Sequence, residues 1–141
     1  MVVAAVVAVG LGLAGCADSS ESSSSEGDPA ATIEEVKAPD GTELQRITLQ
    51  PRAAERLGIR FAPITEEAGS LVVPYAALVY DPSGGTWVYA SPKPNVFLRE
   101  PVNVREIVGN RVFLVDGPEA GTEVVTRATI ELYGIEEGIG A

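Results

Sequence analysis

The chemistry open to this chain is narrow, and it begins with a single thiol. Cys16 is the one cysteine among 141 residues, and histidine is absent. A disulfide within the chain, a zinc cluster and a histidine-based acid/base pair are therefore excluded. What remains is mostly carboxylate and guanidinium. Glu34-Glu35, Glu66-Glu67 and Glu136-Glu137 stand as adjacent pairs, but their spacing follows no acid/base or cation-binding logic, so they read as solvated surface. Arg52, Arg56, Arg60, Arg99, Arg105 and Arg111 stand out in an acidic chain; they can pair with carboxylates of a partner or with acids of the chain itself. Trp87, Tyr89, Tyr80 and Tyr75 fall in strand-like runs, where aromatic rings read as core and cross-strand pairs rather than as a ligand-stacking wall. No base accompanies the serines near the N-terminus. The expectation is no catalytic residue, no metal ligand and no enzyme.

Composition narrows the partners further. With 20 acidic against 10 basic residues the formal charge is −10, which argues against nucleic acid and against adhesion to anionic lipid through a basic patch. The length allows one small domain, large enough for one modest core.

Cys16 itself sits at a change of composition. Val2 to Leu13 is an unbroken run of Val, Ala, Gly and Leu, too short for the roughly 20 residues that cross about 30 Å of hydrocarbon. Its length suits the apolar region of a signal peptide. A buried core helix suits it less well, because valine and glycine are weak helix formers and the run has no polar face. Leu13-Ala14-Gly15-Cys16 resembles the lipobox of bacterial lipoproteins. That resemblance implies a diacylglyceryl group on the Cys16 thiol and cleavage just before it, with no other cofactor. No basic residue precedes Cys16, a departure that a start assigned downstream of the true one would leave. The segment from Asp18 to Thr32 is Ser, Glu, Gly, Asp, Pro and Ala; with almost nothing to bury it is expected to stay disordered, a tether averaging about 20 to 25 Å in span. The expected organisation is a signal peptide over 1–15, a tether over 16–32 and a folded domain over 33–141.

The folded part reads as mainly β, a small barrel or sandwich with one short helix. Leu44 to Leu49 alternates apolar and polar. Gln50 to Gly58 reads as the helix: Pro51 suits its first turn, Ala53, Ala54 and Leu57 share a face, and Gly58 suits the left-handed close. Ile59 to Thr65 resumes as strand. Leu71 to Tyr80 and Thr86 to Ala90 flank Asp81-Pro82-Ser83-Gly84-Gly85 as a hairpin, with Pro74 at a strand start or edge. Asn95 to Val108 and Arg111 to Val115 flank Gly109-Asn110 as a second hairpin. Glu123 to Thr126 closes the strands, and the glycine-rich tail beyond Tyr133 is expected to fray.

The order of these pieces carries a second resemblance. Val73-Pro74-Tyr75-Ala76-Ala77-Leu78, Thr86-Trp87-Val88-Tyr89, Arg99-Glu100-Pro101-Val102-Asn103-Val104 and the loop and strand with Gly117, Gly121, Val124, Val125 and Thr126 resemble the C-terminal part of periplasmic adaptor subunits of efflux transporters, also called membrane fusion proteins. Residues 47 to 64 are similar to the segment that opens those proteins. In the family the two segments are separated by lipoyl-like, helical-hairpin and barrel domains, whereas here Thr65 reaches Leu71 in a few residues. Pro118 stands where the family usually has leucine, and Arg127-Ala128 where Glu-Gly or Asn-Gly is common. The resemblance implies a solitary membrane-proximal domain: a lipid-anchored accessory subunit at the outer face of the cytoplasmic membrane, docking on an integral membrane transporter and unable to bridge two membranes. An autonomous ligand-binding or sensing lipoprotein is the alternative, and it requires an apolar pocket with convergent polar groups.

Overall fold

The computed structural model describes residues 29–139, so Cys16, the signal segment and most of the tether lie outside the described residues. The fold is mainly β, as expected, with two short α-helices among the described residues rather than one. The first strand, β1 (Ala31–Lys37), pairs along its whole length with β2 (Glu43–Leu49), Ala31 facing Leu49 and Lys37 facing Glu43. Ala31 and Thr32, expected as tether, therefore belong to the sheet. Their small and polar side chains conceal a strand because its order comes from pairing with β2 and from Ala31 packing on the core.

The turn after β2 forms α1 (Pro51–Leu57) for the expected reasons. Gln50 is extended at φ −64° and ψ 142°, Pro51 opens the helix, and Gly58 closes it in the left-handed region at φ 61°. Ala54 and Leu57 pack inward; Ala53 instead lines an outer hollow with Arg52. The chain continues through β3 (Arg60–Pro63), β4 (Thr65–Glu67) and β5 (Ser70–Pro74). The expected long strand from Leu71 to Tyr80 is broken by a 3-10 turn at Tyr75–Ala77, which carries the chain from one sheet to β6 (Val79–Tyr80) in the other. Pro74 causes the break. It stands at the end of an internal strand, not at a start or an edge, where its missing N–H is not needed by the neighbouring β4.

Asp81 closes the turn into β7 (Thr86–Lys93): its Oδ1 accepts the Ser83 and Gly85 N–H groups at 2.8 Å each. The arm expected from Asn95 to Val108 is two strands, β8 (Val96–Pro101) and β9 (Asn103–Val108), and they lie in different sheets. Gly109-Asn110 does turn β9 into β10 (Arg111–Asp116). Last come β11 (Glu123–Arg127) and α2 (Thr129–Glu136).

Seven strands form one antiparallel sheet in the order β1-β2-β8-β7-β11-β3, with β6 alongside β7, and four form a second in the order β4-β5-β10-β9. Val88 and Tyr89 are adjacent yet join different core clusters, as do Val124 and Val125. The pleat sends neighbours to opposite faces, so the central strands of the large sheet are buried on both. One face packs on the small sheet through Val73, Val112, Leu114 and Ile64. The other packs on α1 and α2 through Ile47, Phe97, Leu57 and Leu132. That double burial is why Thr86 to Ala90 reads as a continuous apolar run rather than an alternating one.

The frayed tail is overturned by α2. Leu132 is fully buried, and Tyr133 and Ile135 pack beside it. Ahead of the helix Ala128 is held at φ 73°, a conformation costing an L-residue about 1–2 kcal/mol. Ala128 is also buried, so Ala128→Gly sets the relieved strain against the entropy glycine adds to the unfolded chain and about 0.8 kcal/mol for the lost methyl; thermal denaturation is expected to show a net change of no more than about 1 kcal/mol.

Candidate functional site

A connected group of polar side chains lies between β7, β8 and α2. The Tyr89 hydroxyl donates to Glu136 Oε2 at 2.6 Å, and Arg99 Nε approaches Oε1 at 2.9 Å. Oε1 receives no hydrogen bond, so the Arg99 approach is a charge contact rather than a directed bond. The Arg99 guanidinium also lies 4.6 Å from the centre of the Trp87 ring and 5.7 Å from that of Tyr133, a cation held against two π faces. Trp87 Nε1 in turn donates to Asp81 Oδ2 at 2.7 Å. One chain of contacts thus runs from the β6–β7 turn through the sheet to the last turn of α2.

Glu136, expected on the surface, has a side chain only 3% exposed. Its adjacency to Glu137 in sequence says nothing about burial; the turn of α2 decides it. Burial raises the Glu136 carboxyl above the ordinary 4.5, against the lowering effect of the Tyr89 hydroxyl and Arg99, while Glu137 raises it further. Burial, then the bond to Glu136, also pushes the Tyr89 hydroxyl up, so it acts as the donor. A raised folded value means that the fold binds this proton more readily than the unfolded chain does. The Glu136 contribution to stability therefore grows as pH falls through the raised value toward 4.5 and shrinks as pH rises. Asp81 has the opposite sign: the Trp87 N–H and the turn amides hold it below 3.8, outside that window. Relative to Glu136→Gln, the native protein is expected to gain stability on acidification through this window, read from paired melting curves.

The remaining acidic pairs separate. Glu34 bridges Arg46 at 2.7 Å across β1 and β2, and Glu67 pairs with Arg111. Arg105 meets Glu106 at 3.5 Å. Tyr89 is core and Trp87 is half-buried, as expected of aromatic strand residues, but Tyr75 and Tyr80 are about half exposed. A hollow of about 570 Å³ lies among Asp40, Glu100, Asp116 and Glu119. Among the described residues no group of three or more His, Cys, Asp or Glu is placed to hold a metal ion.

The arginines divide in two. Arg46, Arg99, Arg105 and Arg111 enter salt bridges. Arg52, Arg56 and Arg60 are exposed and enter none among the described residues, and they are joined by Arg127, which the sequence alone does not connect with them. Register supplies that connection: Arg127 on β11 faces Arg60 on β3, and the space beside Gly58 is bounded by the Arg127 guanidinium. The net charge of the chain conceals this local concentration of positive charge.

The architecture defines a small two-sheet β domain whose polar groups serve mainly to hold elements together. No family model matches the chain, and neither a curated protein nor a solved structure matches it.

Proposed function

We propose that this chain is a lipid-anchored, extracytoplasmic accessory subunit that docks on a membrane efflux transporter. The observation that carries the reading is how the two adaptor-like segments meet. Residues 47 to 64 and 73 to 132 interleave within one sheet: Ile47 pairs with Phe97 and Phe61 with Val125. A domain made only of these segments therefore has a continuous sheet and two cores of its own, which is what a solitary membrane-proximal domain requires.

An exposed apolar patch supports docking. The Tyr75 N–H donates to the Asn110 carbonyl at 2.7 Å, bringing the β9–β10 turn to the 3-10 turn. The Thr129 hydroxyl reaches the Ala76 carbonyl at 3.5 Å, bringing the start of α2 to the same place. The segments these contacts draw together carry Tyr75, Val108 and Ile130, which are 48%, 54% and 67% exposed. Exposed aromatic and aliphatic side chains on neighbouring segments suit a protein partner. The role is scaffolding: binding at the transporter's extracytoplasmic surface biases its assembly or gating.

The test is affinity purification of the full chain from membranes in mild detergent. Recovery of a transporter permease, lost on Tyr75→Ala with Ile130→Ala, supports the reading. Recovery of the chain free of any integral membrane protein overturns it.

A further inference from the structure

The unpaired arginines define a second surface. Arg52 and Arg56 lie one turn apart on α1, with Arg56 Nε donating to the Arg52 carbonyl at 3.3 Å. Both line a hollow of about 510 Å³ together with Ala30, Gln50, Pro51 and Ala53, with no carboxylate in its wall. Past Gly58, Arg60 and Arg127 stand directly opposite one another on antiparallel strands. Like charges in that position oppose strand pairing, and neither arginine has a carboxylate partner among the described residues. Glu55 is the only acidic side chain on α1. Phe61, next to Arg60 on β3, points to the other face and stacks on the buried Phe97 ring with centroids 6.3 Å apart, so it takes no part in the arginine surface. Four guanidinium groups thus stand about α1 and the β3–β11 pair of a chain that carries −10 overall, at a local cost in pairing and with no carboxylate partner among the described residues.

We propose that this arginine face docks on the anionic phospholipid headgroups of the membrane surface. The inference rests on the lipid-anchor reading of Cys16, and the position of the face fits that reading. The Gln50 N–H donates to the Ala30 carbonyl at 2.9 Å, so the chain arriving from Cys16 enters beside the hollow. Residues 16 to 30 reach no more than about 50 Å even when fully extended, which keeps the face within range of the bilayer. Guanidinium groups bind phosphate in a planar fork that suits headgroup recognition. The rest of the acidic surface is repelled by the same membrane, so attraction at one face and repulsion at the others give the anchored domain a preferred orientation.

Orientation is the measurable quantity. In the lipidated full chain the Cys16 thiol is blocked, so a cysteine introduced by Ala53→Cys on α1, or by Glu106→Cys on the opposite layer, is the single labelling site. Each labelled chain is reconstituted into vesicles carrying a headgroup acceptor, either neutral phosphatidylcholine or a mixture with about one third phosphatidylglycerol. Energy transfer from the α1 position is expected to exceed that from the β9 position at least twofold in anionic vesicles only. The difference should vanish near 1 M salt, where screening falls to about 3 Å. It should vanish also in the chain with Arg52, Arg56, Arg60 and Arg127 all changed to glutamine, each arginine being worth about fivefold in partitioning. A melting curve confirms that this variant folds. Equal transfer from the two positions, or a difference that survives the four substitutions, overturns the proposal. Labelling of the unsubstituted chain shows instead that Cys16 is free, and the anchor reading then fails and takes this one with it.

Discussion

Cys16→Ser is expected to release the protein from membranes almost completely. Among the described residues no helix is long and apolar enough to cross a bilayer. Under the proposed anchor, retention falls to the acyl chains. A single chain gives only marginal, reversible binding, and each buried methylene contributes about 0.8 kcal/mol, so stable anchoring takes two. Replacing sulfur by oxygen removes the nucleophile that carries both chains of a diacylglyceryl group, and partitioning should drop by several orders of magnitude. The arginine face does not compensate, because its attraction acts on an already tethered domain and is screened by salt. Detergent-phase partitioning of membranes from cells making the native and substituted chains reads the effect. Equal retention of the two sinks the anchor.

Leu132→Ala is expected to be the most damaging single change in the described fold near the C-terminus. Leu132 is fully buried in the cluster it shares with Ile47, Leu49, Tyr89 and Phe97. Truncating such a leucine costs about 2–5 kcal/mol, the spread reflecting how far the site collapses around the cavity. Against a typical stability of about 5–15 kcal/mol and a shift of about 4–8 °C per kcal/mol for a domain of this size, the melting temperature should fall by at least about 8 °C. Ile130→Ala two residues earlier removes a similar side chain that is exposed, so it should leave the melting temperature nearly unchanged. Indistinguishable effects of the two would mean that α2 is not docked as described.

The contrast between those residues shows what was legible in the sequence. Leu132 and Ile130 precede the glycine-rich stretch beyond Tyr133, whose local composition argues for a frayed end. What orders it is distant: the sheet face that receives Leu132, and the Tyr89 hydroxyl and Arg99 guanidinium that receive Glu136. Features set by their neighbours in sequence were readable. Proline and glycine bracket α1, and the turns at Asp81–Gly85 and Gly109-Asn110 follow from their own residues.

Features set by pairing were not readable in this way. The exchange of strands between sheets at Pro74 and between Pro101 and Asn103 divides runs that look continuous, because strand propensity is the same whichever sheet the strand joins. Leu44 shows the same limit within one strand. Its apparent alternation with Ile47 and Leu49 breaks parity, and Leu44 lines the acidic hollow instead of joining their cluster. The arginine face needed register above all, since Arg60 and Arg127 are far apart in sequence and opposite one another only in the sheet.

Docking on a transporter can be tested in place at the exposed surface around Tyr75. A photo-activatable cross-linker substituted at Tyr75, which is 48% exposed, would be activated in intact cells making the full lipidated chain. The adduct would then be identified by mass spectrometry, with the same cross-linker at Glu35, exposed on the edge strand β1, as the control. The expected result is a specific adduct to an extracytoplasmic segment of a transporter permease from Tyr75 and none from the control position. Adducts to lipid alone, to soluble proteins, or equally from both positions would contradict it.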